Sequence, residues 1–186
     1  MLTCAALFVV FLSGVSALGC ERLWVQFENS CYYSNQMPES QRAAFYKVRS
    51  ASAGMVEDIF FKWQQAKLAC ERKGAHLAEI ESEAENNFVK QLAQKVPNHS
   101  VWLGGNDIAH EGTWVWAGSG KPLTFTDWWK STDGRRKDEP DNRGRSGSDC
   151  LSLSKHDNYS AWHDSECSLK RRRGDFKGII CEKRKL

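Results

Sequence analysis

The sequence has no apolar stretch long enough to span a bilayer; the nearest, Leu2 to Leu12, is too short. It has no Cys-x-x-Cys pair, which argues against a zinc ribbon or a thioredoxin-type site. His110-Glu111 starts like a zinc-protease motif, but no histidine follows three residues after Glu111. Gly118-Ser119-Gly120-Lys121 resembles half a phosphate-binding loop, but Pro122 stands where Ser or Thr is needed. No Gly-x-Ser-x-Gly elbow occurs. These absences argue against an enzyme. Net charge is only +3, too small to point to nucleic acid. No internal repeat, collagen-like run or heptad segment is present to specify an oligomer.

What is present begins with a leader. Leu2 to Leu12 is almost entirely apolar, and Val15-Ser16-Ala17 offers small residues for cleavage. Residues 1–17 therefore read as a secretory signal peptide, although a basic residue near the start is missing. The expectation is a soluble, secreted protein with no membrane anchor. About 170 residues remain, enough for one domain. Of the seven cysteines, Cys4 leaves with the leader. Cys20, Cys31, Cys70, Cys150, Cys167 and Cys181 remain, an even number that implies a disulfide framework.

Cys20 to Tyr33 looks like a short hairpin, and Ser34 to Ile59 like a long loop with one short helix. Trp63 to Lys73 repeats Trp63, Ala66, Ala69 and Cys70 at helical steps, and Gly74 follows as a stop. Ala75 to Ile80 alternates as a strand does. Ser82-Glu83-Ala84-Glu85 predicts a capping box, and Phe88, Val89, Leu92 and Val96 line the helix that follows. Strands are expected at Val101–Gly104, Thr113–Trp116, Leu151–Leu153, Ser160–Trp162 and Lys177–Cys181. A strand, two helices and then several strands argue for the α+β class.

The chemistry gathers between Asp138 and Asp164. Asp138-Glu139-Pro140-Asp141-Asn142, Asp149 and Asp164 place carboxylate and amide oxygens close together on loops. Clustered oxygens suit a hard cation such as calcium. The plainer alternative is a solvated polar loop pinned by a disulfide.

A longer pattern resembles the C-type lectin-like domain of the long form. Its residues run Cys20, Cys31-Tyr32-Tyr33, Trp63-x-x-Ala66-x-x-x-Cys70 and Gly74-Ala75-x-Leu77-Ala78. They continue through Glu85-x-x-Phe88, Trp102-Leu103-Gly104 and Glu111-Gly112-x-Trp114-x-Trp116. Glu139-Pro140-Asp141, Cys150, Trp162-x-Asp164, Cys167 and Cys181 complete it, covering nearly all of residues 18–186. Within the family, the chain resembles the soluble perlucin-like lectins. The resemblance implies two helices packed on antiparallel sheets, a long ligand-binding loop region, and the pairs Cys20–Cys31, Cys70–Cys181 and Cys150–Cys167. It also marks residues 34–59 as an insertion.

The resemblance implies a Ca2+-dependent lectin that holds glycans through the ion. Glu139 and Asp141 match its Glu-Pro-x loop, with a cis peptide before Pro140, and Asp164 matches its final acid. Asp107, Glu111 and Asp149, with Asn142 beside them, match an auxiliary calcium site. Two positions depart: Ser148 stands where the family has Glu, and His163 where it has Asn. An unperturbed histidine titrates near about 6.5, which would make the site pH-sensitive. Glu139-Pro140-Asp141 mixes the mannose-type and galactose-type motifs, so the sugar is left open. Lys130, Arg135, Arg136, Lys137, Arg143 and Arg145, with Lys170 to Arg173, would favour an anionic glycan. Asn98 and Asn158 head glycosylation sequons. The competing expectation is a decayed sugar site on a protein that binds a protein or mineral surface.

Overall fold

The computed structural model describes residues 19–35, 62–96, 100–143, 147–168 and 177–185. The leader, most of the expected insertion, Asn98, Arg145 and the Lys170–Arg173 cluster lie outside these residues. The elements in chain order are β1 (Val25–Phe27), β2 (Ser30–Ser34), α1 (Trp63–Glu71), β3 (His76–Leu77) and α2 (Glu83–Lys95). They continue with β4 (Ser100–Asn106), β5 (Val115–Trp116), β6 (Cys150–Ser154), β7 (Trp162–Ser165) and β8 (Lys177–Arg184). A 3-10 turn, Lys155–Asp157, links β6 to β7.

The strands run in the order β1-β2-β8-β4-β6-β7, with β3 on β8 and β5 on β4. β8 is the seam. It pairs antiparallel with β2 and β3 and parallel with β4. Its Ile179-Ile180-Cys181 run is buried, as befits a strand covered on both faces.

α1 buries Trp63, Ala66 and Cys70, which fall on one face at steps of three and four. The Trp63 indole donates to the Leu103 carbonyl at 2.9 Å, so the large ring is buried without leaving its N–H unpaired. Cutting Trp63 to Ala is expected to cost about 3–5 kcal/mol. Cys70–Cys181 then ties α1 to β8 across 111 residues. Loop-closure entropy for such a length is worth about 4.7 kcal/mol. Cys20–Cys31 and Cys150–Cys167 complete the three bridges that the resemblance implied.

The capping box forms only in half. Ser82 Oγ accepts from the Glu85 N–H at 3.2 Å. Glu85 does not return to Ser82. Its Oε2 accepts from the Glu81 N–H at 2.8 Å, and its Oε1 accepts from the Tyr32 hydroxyl. Glu85 is only 8% exposed, so its carboxylate is used to join α2 to β2 rather than to close the helix turn.

Three strands differ from expectation. Ala75 to Ile80 yields only His76–Leu77: the Ala78 N–H still donates to Ile180 on β8, but the Ala78 carbonyl accepts from the Gly104 N–H on β4. Gly104 allows this contact: a Cβ there would lie 2.9 Å from the Leu77 carbonyl. The Thr113 strand starts late, at Val115, since the Thr113 N–H turns back to the His110 carbonyl. Ser160 and Ala161 precede β7 rather than begin it, because Asn158 and Tyr159 take positive φ in a turn. Ser34 belongs to β2, opposite Ile180, and not to the loop.

Candidate cation and glycan site

The site is built outward from Trp162. This ring is fully buried, and its indole donates to Asn86 Oδ1 on α2 at 2.8 Å. The next two residues on β7 are His163 and Asp164, so burying Trp162 fixes where they point. The Trp162 carbonyl accepts from the Trp129 N–H at 2.9 Å, and the Trp129 carbonyl accepts from the Glu139 N–H at 3.0 Å. Two backbone steps thus carry Glu139 to the side of His163. The Glu139–Pro140 peptide is cis, as the resemblance implied.

Glu139, Asp141 and Asp164 converge, each with an oxygen within 4.8 Å of the others. Glu139 Oε2 is buried with no hydrogen-bond partner in the protein. Asp164 Oδ2 accepts from the Asn142 N–H at 2.6 Å. Burial, and then the Glu139 carboxylate, push the Asp164 carboxyl up to about 8. Two carboxyls this close do not both ionise readily, and a bound cation would relieve that conflict. Asp141 is already met in part, since Arg143 Nε lies 2.8 Å from its Oδ2.

His163 occupies the departure from the family pattern, and its ring is held on both sides. Nδ1 faces Glu139 Oε1 at 3.2 Å and Nε2 faces Asp157 Oδ2 at 2.9 Å. Burial works against its charge, but Asp157 and Glu139 prevail and hold the imidazole up at about 9. The expectation of an ordinary histidine near 6.5 is therefore corrected for the ion-free protein. Trp129 stacks on the ring at 6.2 Å between centroids. The role of Asp157 escaped the sequence reading. Its only signal was its position beside the Asn158 sequon, and the turn that carries it could not be located from pattern.

Ser148, the second departure, is buried and does not lend its hydroxyl to the carboxylates. Its Oγ donates to the Arg143 carbonyl, and its N–H donates to Asn142 Oδ1 at 2.8 Å. Asn142 therefore spans two places. Its N–H braces Asp164, while its amide oxygen closes the loop toward Asp149 around Gly147.

Asp107, Glu111 and Asp149 form a second carboxylate group within the same 4.8 Å limit. The Asp107 N–H donates to the Asp149 carbonyl at 3.1 Å, and Asp107 Oδ2 accepts from Gly112 at 2.8 Å. Asp107 Oδ1 is buried and unpartnered, and burial raises the carboxyl above its ordinary range. A cavity of about 840 Å³ lies elsewhere, against Tyr32, Glu79, Glu85 and Glu182, and holds none of the expected site residues. Asn158 is exposed at the end of the 3-10 turn. No helix among the described residues is long and apolar enough to cross a membrane.

The oxygen donors fit a hard divalent cation at both groups, although Ser148 and His163 supply no oxygen to the first. An α+β domain with three disulfides and paired acidic loop sites is thus defined. The family described as Lectin C-type domain matches residues 61–183, and the chain belongs to it. The CD209 antigen of Papio hamadryas is 32% identical over 152 residues, which is 81% of this chain. The chain spans only 32% of that relative's length. The mouse scavenger receptor C-type lectin carbohydrate-recognition domain superposes with a TM-score of 0.61 at 27% identity, covering 90% of this chain and 100% of that one. A calcium-independent type II antifreeze protein shares the fold with a TM-score of 0.62 at 21% identity, covering 92% of this chain and 99% of that one. The family is one of non-catalytic carbohydrate-binding domains.

Proposed function

We propose that this chain is a secreted carbohydrate-binding domain, residues 18–186, released by removal of residues 1–17. Glycan binds at the Glu139-Pro140-Asp141 loop through a divalent cation, for which the family would bring Ca2+. The observation that carries this reading is the convergence of Glu139, Asp141 and Asp164, with one buried Glu139 oxygen left unpaired. When bound, the ion would supply a Lewis-acidic point for a pair of sugar hydroxyls. The chain's own part is to hold the acceptors. Trp129 fixes Glu139, Asn142 fixes Asp164, and His163 braces Glu139 from the far side. Asp107, Glu111 and Asp149 would hold a second ion that secures the loop base. The likeness to the mouse scavenger receptor C-type lectin carbohydrate-recognition domain supports the assignment.

Exposed Arg135, Arg136, Lys137 and Arg143 flank the acids and favour an anionic glycan. Asn98 and Asn158 are the sites at which the chain itself would be glycosylated. A glycan array probed with calcium and with chelator tests the reading. Glycan binding abolished by chelator is the expected outcome.

A second reading has one observation in its favour. Arg143 already supplies a cation to Asp141, so the chain partly neutralises its own site. A lectin-like protein that binds a protein or mineral surface would show no glycan binding, or binding indifferent to chelator.

A further inference from the structure

We propose that Arg143 is the residue that selects the ligand: it takes an oxyanion group, carboxylate or sulfate, carried by the sugar that the Glu139-Pro140-Asp141 loop holds. The inference rests on the reading of that loop as a glycan site and assigns the choice of ligand to one built side chain rather than to the basic surface as a whole.

Arg143 differs from the other basic residues of the loop in how it is held. Its N–H donates to Asp141 Oδ1 at 3.1 Å, and its Nε lies 2.8 Å from Asp141 Oδ2. The Asp141 side chain is buried, so this anchor is itself fixed. The Arg143 carbonyl accepts from the Ser148 hydroxyl. Ser148 is one of the two departures from the family pattern, and bracing Arg143 is what its side chain does. Arg135 makes the same backbone contact to Asp133, but its Nε lies 3.6 Å from that carboxylate, and Asp133 is exposed. A long side chain loses rotamer freedom when it grips a ligand. In Arg143 the Nε contact has already taken part of that loss; in Arg135 the ligand would have to bear it.

The donors of Arg143 beyond Nε are on its two terminal nitrogens. These have no hydrogen-bond partner among the described residues, and the side chain is exposed. A planar guanidinium fork matches the paired oxygens of a carboxylate or sulfate, which a lysine ammonium does not. Asp141 is at once the anchor of this fork and a member of the carboxylate group with Glu139 and Asp164. A carboxylate offers about four acceptor positions, and Arg143 uses only two of them, so Asp141 can anchor the arginine and still serve the loop. Sharing Asp141 puts the guanidinium within reach of a substituent on a sugar held at the acids.

The test titrates the full chain, as secreted by eukaryotic cells and held in calcium, with matched sugars. Methyl glucuronide is set against methyl glucoside, and a sulfated methyl galactoside against its unsulfated parent. The anionic member of at least one pair is expected to bind at least about tenfold tighter, as charge-assisted hydrogen bonds allow. Which pair shows the preference separates carboxylate from sulfate. Arg143→Gln is expected to bring the two members of that pair to equal affinity, and Arg143→Lys to recover only part of the difference. The loss in Arg143→Gln is expected to exceed that in the double variant Arg135→Gln with Arg136→Gln, although the double variant removes more charge. In nuclear magnetic resonance the Arg143 side-chain N–H signal is expected to move with the anionic sugar and not with the neutral one. Neutral and anionic sugars bound equally by wild type would overturn the inference and leave the glycan site standing, a result that needs no variant to fold. A preference that survives Arg143→Gln, or falls further in the double variant, would also overturn it. An anionic sugar held through Arg143 in chelator would keep the inference and remove the cation from the proposed function. No binding of any of the four sugars would overturn both.

Discussion

Trp162 and Asn86 are joined across the core by an indole-to-amide hydrogen bond of 2.8 Å. Asn86 sits on α2 and Trp162 on β7, one residue before His163. The Asn86 amide also donates to Asp127 at 2.6 Å, and Lys90 closes on the same carboxylate. A helix far from the ligand loop thus sets the register of the strand that carries the site. Asn86→Ala leaves the buried indole N–H unsatisfied and is expected to cost about 1–3 kcal/mol. Urea unfolding measures the loss, and cation affinity measured on the folded fraction should fall with it.

Glu139→Gln keeps size and removes one charge. Divalent-cation affinity should drop, and chelator-sensitive glycan retention should drop with it. Calorimetry and a glycan column read the two separately. Wild-type values for both would place the site elsewhere.

The ion-free protein should lose stability as pH rises. His163 is held up at about 9, so its contribution is complete below about 6.5 and fades as pH climbs through 9. Asp164, pushed up to about 8, acts in the same direction, with its contribution lost as pH rises through 8. Glu139 and Asp157 are held below their ordinary range, despite burial, by the His163 ring, and their contributions are lost only in acid. Thermal melts in chelator should therefore fall between pH 7 and 9. His163→Asn should flatten that slope, and added divalent cation should restore the melting temperature at the alkaline end. A melting temperature that rises across this window would contradict the assignment.

Basic residues around the loop predict a salt effect. Arg135, Arg136 and Arg143 are exposed, and exposed charges are screened over about 10 Å at 0.1 M ionic strength. Binding of a sulfated or carboxylated glycan should weaken steeply as salt rises, and a neutral glycan much less. Equal salt dependence for both would remove the basic cluster from the account.

Ser148→Glu with His163→Asn restores the oxygen donors that the family uses. Wild type is expected to bind calcium weakly, in the range of about 10⁻⁴–10⁻³ M. The double variant should bind it more tightly and lose less affinity between pH 7.5 and 5.5. Ser148 is only 5% exposed, so the larger side chain must displace the contact with the Arg143 carbonyl. Calorimetry showing no gain would mean that position 148 does not reach the ion.

Much of this was written plainly in the chain. α1 and α2 declare themselves through apolar spacing, and β8 through its apolar run. The disulfide pairing and the cis proline came from the family pattern, because six cysteines alone leave the pairing open. The strands shorter than their alternation suggests share a cause. Alternation in 75–80 and 113–116 suggests strands, yet backbone partners decide their length, and those partners are distant or in turns. Asp157 was invisible for a related reason. Its importance lies in facing His163 across a turn of positive-φ residues, which no periodicity records.

Trp129 grips β7 with its N–H and Glu139 with its carbonyl. The nine residues between, 130–138, hang from that clasp as a bight, and they close on themselves through the Ser131 N–H to Asp138 contact at 2.9 Å. Their length does not set where Glu139 stands. The bight is thus a place where the chain can gain, lose or exchange residues while the acids beneath stay fixed. New ligand preferences could be grafted there, as a different key bow on an unchanged blade.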